Sequence, residues 1–236
     1  SLGGTIAVQS GWRAPFEIIA GFGIILALLF AAIAREKRLA PPMAHEAAPI
    51  RSVLTSSALR WIYLGSGLQL FISGALTAWL PSWFNRVHEL QVDKAGQAAA
   101  VILLVQALGM VLCGQLSDRL GLRDGGHRFT LAIGLGVTSA LLLGIGFLMP
   151  PSVLQLMVIG AGAFLAAGTT GPVGSLVAQL THPALLATAF ATVTLANNIF
   201  GLAPGPWLAG RLADMGGIGM ALAVCSLSPL LAALCF

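Results

Sequence analysis

Residues 114–124 run Gly-Gln-Leu-Ser-Asp-Arg-Leu-Gly-Leu-Arg-Asp at the end of a long apolar stretch. Asp118, Arg119, Arg123, Asp124 and Arg128 crowd into one short loop, in a chain where charged residues are only 8%. Asp118 follows Gly114 by one helical turn, so both lie on one face. The glycine admits a close neighbouring helix. A carboxylate beside it favours a helix N-terminus, where backbone N–H groups leave partial positive charge. That is the chemistry of a latch, in which contacts form and break without a bond being made. A loop that served only to solubilise a turn would not need Gly114 or Gly121.

A second set of residues is polar but neutral, and lies inside the apolar runs. Gln69, Ser73 and Thr77 fall on one helical stripe, Gln106 sits mid-way along the next run, and Asn197 and Asn198 point about 100° apart on a third. Thr169 and Thr170 lie beside Gly168, Gly171, Pro172 and Gly174, which invite a local break. Amides in hydrocarbon are costly unless they find partners or line a wet cavity. The amides therefore either tie helices together or face a cavity, whereas serine and threonine more often bond back to their own helix. Gly201, Pro204, Gly205, Pro206 and Gly210 point to close packing with some kinking, or to a hinge. His45, His88, His127 and His182 are all in loops, and Glu17 is placed to pair with Arg13. Neither His-Glu-x-x-His nor Gly-x-Ser-x-Gly occurs. No cofactor or metal is implied, and Cys113, Cys225 and Cys235 read as small packing residues.

These residues need elements to position them. The chain is 57% hydrophobic, with a mean hydropathy of +0.92. Soluble domains average about 25% charged residues, so this chain cannot cover a water-facing surface. It reads as an integral membrane protein. Seven segments approach the roughly 20 apolar residues that a helix needs to cross a bilayer: 15–34, 59–83, 95–116, 129–149, 152–176, 185–208 and 219–236. None alternates as a barrel strand does, so the class is all-α, a membrane helical bundle. Loops 35–58 and 118–128 carry most of the basic charge and fall on one side, which the positive-inside rule makes cytoplasmic, together with 177–184. Trp12, Trp61, Tyr63, Trp79, Trp83 and Trp207 cluster toward span ends as interface anchors do. The few basic residues do not suggest nucleic acid. Both ends read as cut from a longer protein.

Gly-x-Leu-x-Asp occurs at 114–118 and again at 210–214, ending the middle helix of each group of three among the last six spans. An inverted three-plus-three repeat would place the two copies on opposite faces.

Residues 114–123 resemble the cytoplasmic loop motif of the major facilitator superfamily, Gly-x-Leu-x-Asp-Arg-x-Gly-Arg-Arg, with Leu122 at one basic position. Gly11, Trp12 and Arg13 look like the entry to that family's sixth helix. Residues 197–214 are similar to its eleventh, and Trp79 to Arg86 to its spinster-like and organic-anion members. The resemblance implies the end of helix 5 and helix 6 over 1–34, a cytoplasmic linker over 35–58, and the C-terminal six-helix bundle, as two inverted repeats, over 59–236. It further implies a secondary transporter moving a small or amphiphilic organic solute by alternating access. Gly114, Asp118, Arg119, Gly121 and Arg123 would form a gate, with the missing N-terminal helices and the bilayer, in a plasma membrane, as partners. By this resemblance the piece met by Asp118 is the start of helix 5. The rival readings are a membrane interaction module and, further off, a membrane-embedded enzyme.

Overall fold

The structure is a computed structural model that describes residues 6, 10–33, 51–121 and 126–236. The described residues form helices α1 (Ala14–Ile33), α2 (Arg51–Thr55), α3 (Ser57–Val87), α4 (Val92–Gly121), α5 (Gly126–Leu148), α6 (Val153–Ala167) and α7 (Thr170–Leu180). A 3-10 turn at Pro183–Leu185 leads into α8 (Leu186–Asn197). A π-helical turn, Asn198–Leu202, joins α8 to α9 (Pro204–Gly216), and α10 (Ile218–Cys225) and α11 (Ser228–Ala233) close the chain. Among the described residues, five stretches are long and apolar enough to cross a membrane: Ala14–Ile33, Val92–Arg119, Gly126–Leu148, Val153–Leu180 and Pro183–Gly216.

The exception among the long helices is α3. It is 31 residues long but is not one of those five. Its place in the bundle gives the reason. It packs against α4 and against α6–α11, and it buries much of its length in protein. A helix wrapped by other helices can carry Ser66, Gln69 and Ser73, because protein groups rather than lipid meet them. Ser56 caps its start, the hydroxyl accepting from Leu59 N–H. By contrast α1 buries none of its residues, although its sequence is apolar all round.

Two of the expected spans are broken. One gives way to α6 and α7 at Gly168 and Thr169, the break that the local glycines and Pro172 invite. The other breaks between α10 and α11, where Ser228 and Pro229 restart the helix. At residues 198–202 the backbone widens to i→i+5 bonding, and Ala203 N–H donates to Asn198 C=O at 3.0 Å. The tail of the expected 35–58 linker is ordered as α2. Its Val53 is buried beside Leu59, Ile62, Val177 and Leu185.

The aromatic residues divide. Trp12, Trp61 and Trp207 are exposed, as interface anchors should be. Trp83 is fully buried, edge-on to Phe84, His88 and Phe147, and Tyr63 is buried as well. Beside Trp83, Gln155 is fully buried. Its Nε2 donates to Gly146 and Met149 carbonyls and its Oε1 meets His88 Nε2 at 3.1 Å, tying α3 to the α5–α6 turn. Arg13 lies over the Trp12 ring at 5.2 Å, and no ion pair joins it to Glu17.

Candidate functional site

The polar stripe of α3 reaches three different neighbours. Ser66 Oγ donates to Asn197 Oδ1 of α8 at 2.6 Å. Gln69 Nε2 donates to the Ala166 carbonyl at 2.9 Å. Ser73 Oγ accepts from Gln106 Nε2 of α4 at 2.8 Å. Where α6 ends, its last carbonyls lose their in-helix donors, and Ala166 C=O is met by Gln69 and by Thr169 Oγ1. The α6–α7 break is thus capped from α3, at a buried amide.

Gln69, Ser73, Gln106 and Thr169 are buried among the helices. Thr77 and Asn198 are exposed, and each bonds one turn back along its own helix, to Ser73 C=O and Thr194 C=O. The stripe therefore has a buried part that joins helices and an open part that presents polar atoms outward. Ser66 belongs to it and was not singled out from sequence, although it lies three residues before Gln69 and on the same face. Gln106→Leu should cost about 1 kcal/mol, because Ser73 loses a donor but can still bond to its own helix. Thermal unfolding in detergent would read this as a lowered midpoint.

The gate residues sit where α4 meets α7. A Cβ on Gly171 would lie 2.5 Å from Gly114 Cα, so the two backbones touch at a pair of glycines. One turn on, Asp118 Oδ1 accepts from Ser175 Oγ at 3.3 Å. Asp118 and Arg119 are exposed, and Gly121 is the last residue of α4. Arg123 lies outside the described residues. Within this chain the local partner of the Asp118 carboxylate is Ser175 of α7, a residue that no sequence motif marks.

The second Gly-x-Leu-x-Asp copy also packs through its glycine, there against a side chain. A Cβ on Gly210 would come 2.8 Å from the Trp79 ring of α3. Five residues before each motif stands another glycine against a carbonyl: Gly109 faces Phe164 O of α6, and Gly205 faces Phe71 O of α3. Ala107, Gly109, Leu112, Gly114, Leu116 and Asp118 recur in register as Ala203, Gly205, Leu208, Gly210, Leu212 and Asp214. The five-residue pattern is thus the end of a twelve-residue one, whose upstream half the motif alone did not reveal. Gly201 also meets the α3 backbone, at Gly67 O. Trp79 Nε1 donates to Pro206 C=O at 2.9 Å, and Pro204 starts α9. These residues form a tight seam between α3 and α9, with the π-turn as its irregular end.

The described charged residues of α3–α9 lie near helix ends, and no three His, Cys, Asp or Glu among the described residues gather where they could hold a metal. What the site can do is bond neutral groups through amides and hydroxyls, and make or break a carboxylate contact at its rim. Residues 1–206 match the family model of the Major Facilitator Superfamily. The chain belongs to the major facilitator superfamily.

An MFS-type efflux pump of Mycolicibacterium smegmatis is 26% identical over 222 residues, which is 90% of this chain and 50% of the relative. An MFS-type transporter of Bacillus subtilis, YceJ, is 27% identical over 172 residues, 72% of this chain and 41% of the relative. The chain therefore spans about half the length of the curated relatives it matches. A bacterial homologue of the human lysosomal transporter Spinster, inward-facing and unoccupied, superposes with a TM-score of 0.69 at 17% identity. That superposition covers 99% of this chain and 63% of the homologue. Its occupied form gives 0.69 at 18%, covering 99% and 62%. The fold is that of a major facilitator transporter.

Proposed function

We propose that this chain is the C-terminal portion of a secondary transporter that moves a small or amphiphilic organic solute across the plasma membrane by alternating access. The observation that carries the reading is the duplicated seam. Glycines at matching positions of one repeated pattern pack α4 on α6–α7 (Gly109 and Gly114) and α9 on α3 (Gly205 and Gly210), at opposite ends of the bundle in the proposed topology. Two inverted three-helix repeats, 59–149 and 152–236, account for this, and rocking of one half of such a fold against the other needs rigid seams of this type. Residues 35–58, 118–128 and 177–184 face the cytoplasm. Residues 1–34 supply the end of helix 5 and helix 6. The partners are the remaining helices of the same protein, the bilayer and the solute.

The open part of the polar stripe, Thr77 and Asn198, faces the solute path. The buried part holds the helices that present it. Asp118 closes the cytoplasmic side against the start of helix 5, and Ser175 holds the carboxylate in position. No bond of the solute is made or broken. The naming of the M. smegmatis relative as an efflux pump makes export the direction to assay first.

The test is solute flux in proteoliposomes. The protein comprising both halves should carry solute, and this chain alone should give only background flux, because such sites lie between two halves. Flux by this chain alone would overturn the reading.

A further inference from the structure

A groove of 350 Å³ runs between α3 and α8, lined by Arg60, Tyr63, Leu64, Leu195, Ile199 and Phe200, among others. A smaller hollow around Arg60, Trp61 and Leu64 adjoins it. Apart from Arg60 at its mouth and Thr192, whose hydroxyl donates to Thr188 C=O of its own helix, the groove's walls are hydrocarbon. From Thr192, level with the mouth, to Phe200 is two turns of helix, or about 12 Å at 1.5 Å per residue, directed from the basic end of the bundle toward its middle.

Arg60 is exposed, and among the described residues it forms no ion pair or side-chain hydrogen bond. It stands in the first turn of a 31-residue helix, where the helix dipole disfavours a cation and favours an anion. Arg51, Arg119 and Arg128 lie at the same end, which in the proposed topology is the cytoplasmic headgroup level, where anionic lipid is found. Trp61, exposed beside Arg60, suits the same depth. Tyr63 lines the groove and is 5% exposed, and its hydroxyl has no hydrogen-bond partner.

We infer that this groove holds one anionic phospholipid, its phosphate on the Arg60 guanidinium and one acyl chain along Leu64, Leu195, Ile199 and Phe200. The charge at the mouth and the hydrocarbon below match the two parts of that molecule. The open part of the polar stripe is not included in it, so the lipid is a constituent of the folded half and not the transported solute.

The test is lipid retention by the full chain, purified from nanodiscs of phosphatidylglycerol or of phosphatidylcholine and measured by native mass spectrometry. Phosphatidylglycerol should be retained preferentially. Arg60→Gln should reduce retention about fivefold, the worth of one basic residue near an anionic surface. Arg51→Gln, at the same end but outside the groove, should leave retention unchanged. Ile199→Trp, which fills the groove without changing charge, should displace the lipid. Equal retention of the two lipids, or equal losses from Arg51→Gln and Arg60→Gln, would overturn the site in favour of general surface charge. Retention unaffected by Ile199→Trp would overturn the acyl seat.

Discussion

Gly109→Leu and Gly205→Leu should each destabilise the bundle by about 3 kcal/mol or more, enough to lose a monodisperse folded species. Each glycine lies against a backbone carbonyl of a neighbouring helix, Gly109 against Phe164 O and Gly205 against Phe71 O. A backbone oxygen cannot rotate aside as a side chain can. Even one added carbon forces the helices apart, and a leucine forces the whole seam open. The loss spreads along the seam, because Gly114 and Gly171 are in backbone contact one turn further on. Gly134→Leu and Gly144→Leu are the comparison: a Cβ at either meets nothing within 4 Å, so each should stay within about 0.5 kcal/mol of the parent. Size-exclusion profiles and unfolding midpoints in mild detergent read all four. Equal tolerance at Gly109 and Gly134 would mean that the α4–α6 seam is not close-packed.

The symmetry of those two sites was only partly legible in the sequence. Gly-x-Leu-x-Asp is short, and its recurrence alone is weak. The partners Phe164 and Phe71 share no motif, so only the folded chain shows that both glycines do the same work. Five of the seven expected spans were legible, because bilayer-length apolar runs leave few alternatives, whereas 59–83 and 219–236 fall short of such a run. The break at Gly168–Thr169 was legible too, since glycines and a proline cluster there. The π-turn at 198–202 was not. It sits where Gly201 and Gly205 are drawn onto the α3 backbone, a tertiary contact with no local signature. Trp83 resembled an interface anchor because a tryptophan near a span end fits either environment, and the Phe147 and His88 rings that bury it come from outside its span. In the candidate site, Gln69 and Gln106 stood out because an amide in hydrocarbon demands a partner. Ser66 and Ser175 did not, because a serine can satisfy itself on its own helix.

The second large effect concerns the gate. Asp118→Asn in the protein comprising both halves should shift the balance of its two conformations about tenfold toward the state open on the cytoplasmic side, within the usual range of conformational coupling. Asparagine keeps an oxygen that can accept from Ser175, so the local contact seen here at 3.3 Å survives. In the proposed gate, what is lost is the charge that would hold the loop to a helix N-terminus across the interface. Ser175→Ala makes the complementary change, since it removes the local bond and leaves the charge. Its effect should be several-fold smaller. If Ser175→Ala shifted the balance and Asp118→Asn did not, Asp118 would serve only to join α4 to α7. Proteoliposome flux should fall with the same ranking, Asp118→Asn below Ser175→Ala, because a carrier biased to one face completes its cycle slowly.

The central claim is that the 114–121 segment gates alternating access, and two-sided cysteine labelling of that two-half protein tests it most directly. With Cys113, Cys225 and Cys235 replaced by alanine, single cysteines at Thr170 and Thr77 report on the two ends of the bundle, both residues being exposed in this half. Asp118→Asn should raise the labelling rate at Thr170Cys from the cytoplasmic side and lower it at Thr77Cys from the opposite side, changing their ratio about tenfold. Labelling rates at both positions that do not change with Asp118→Asn would contradict the gate.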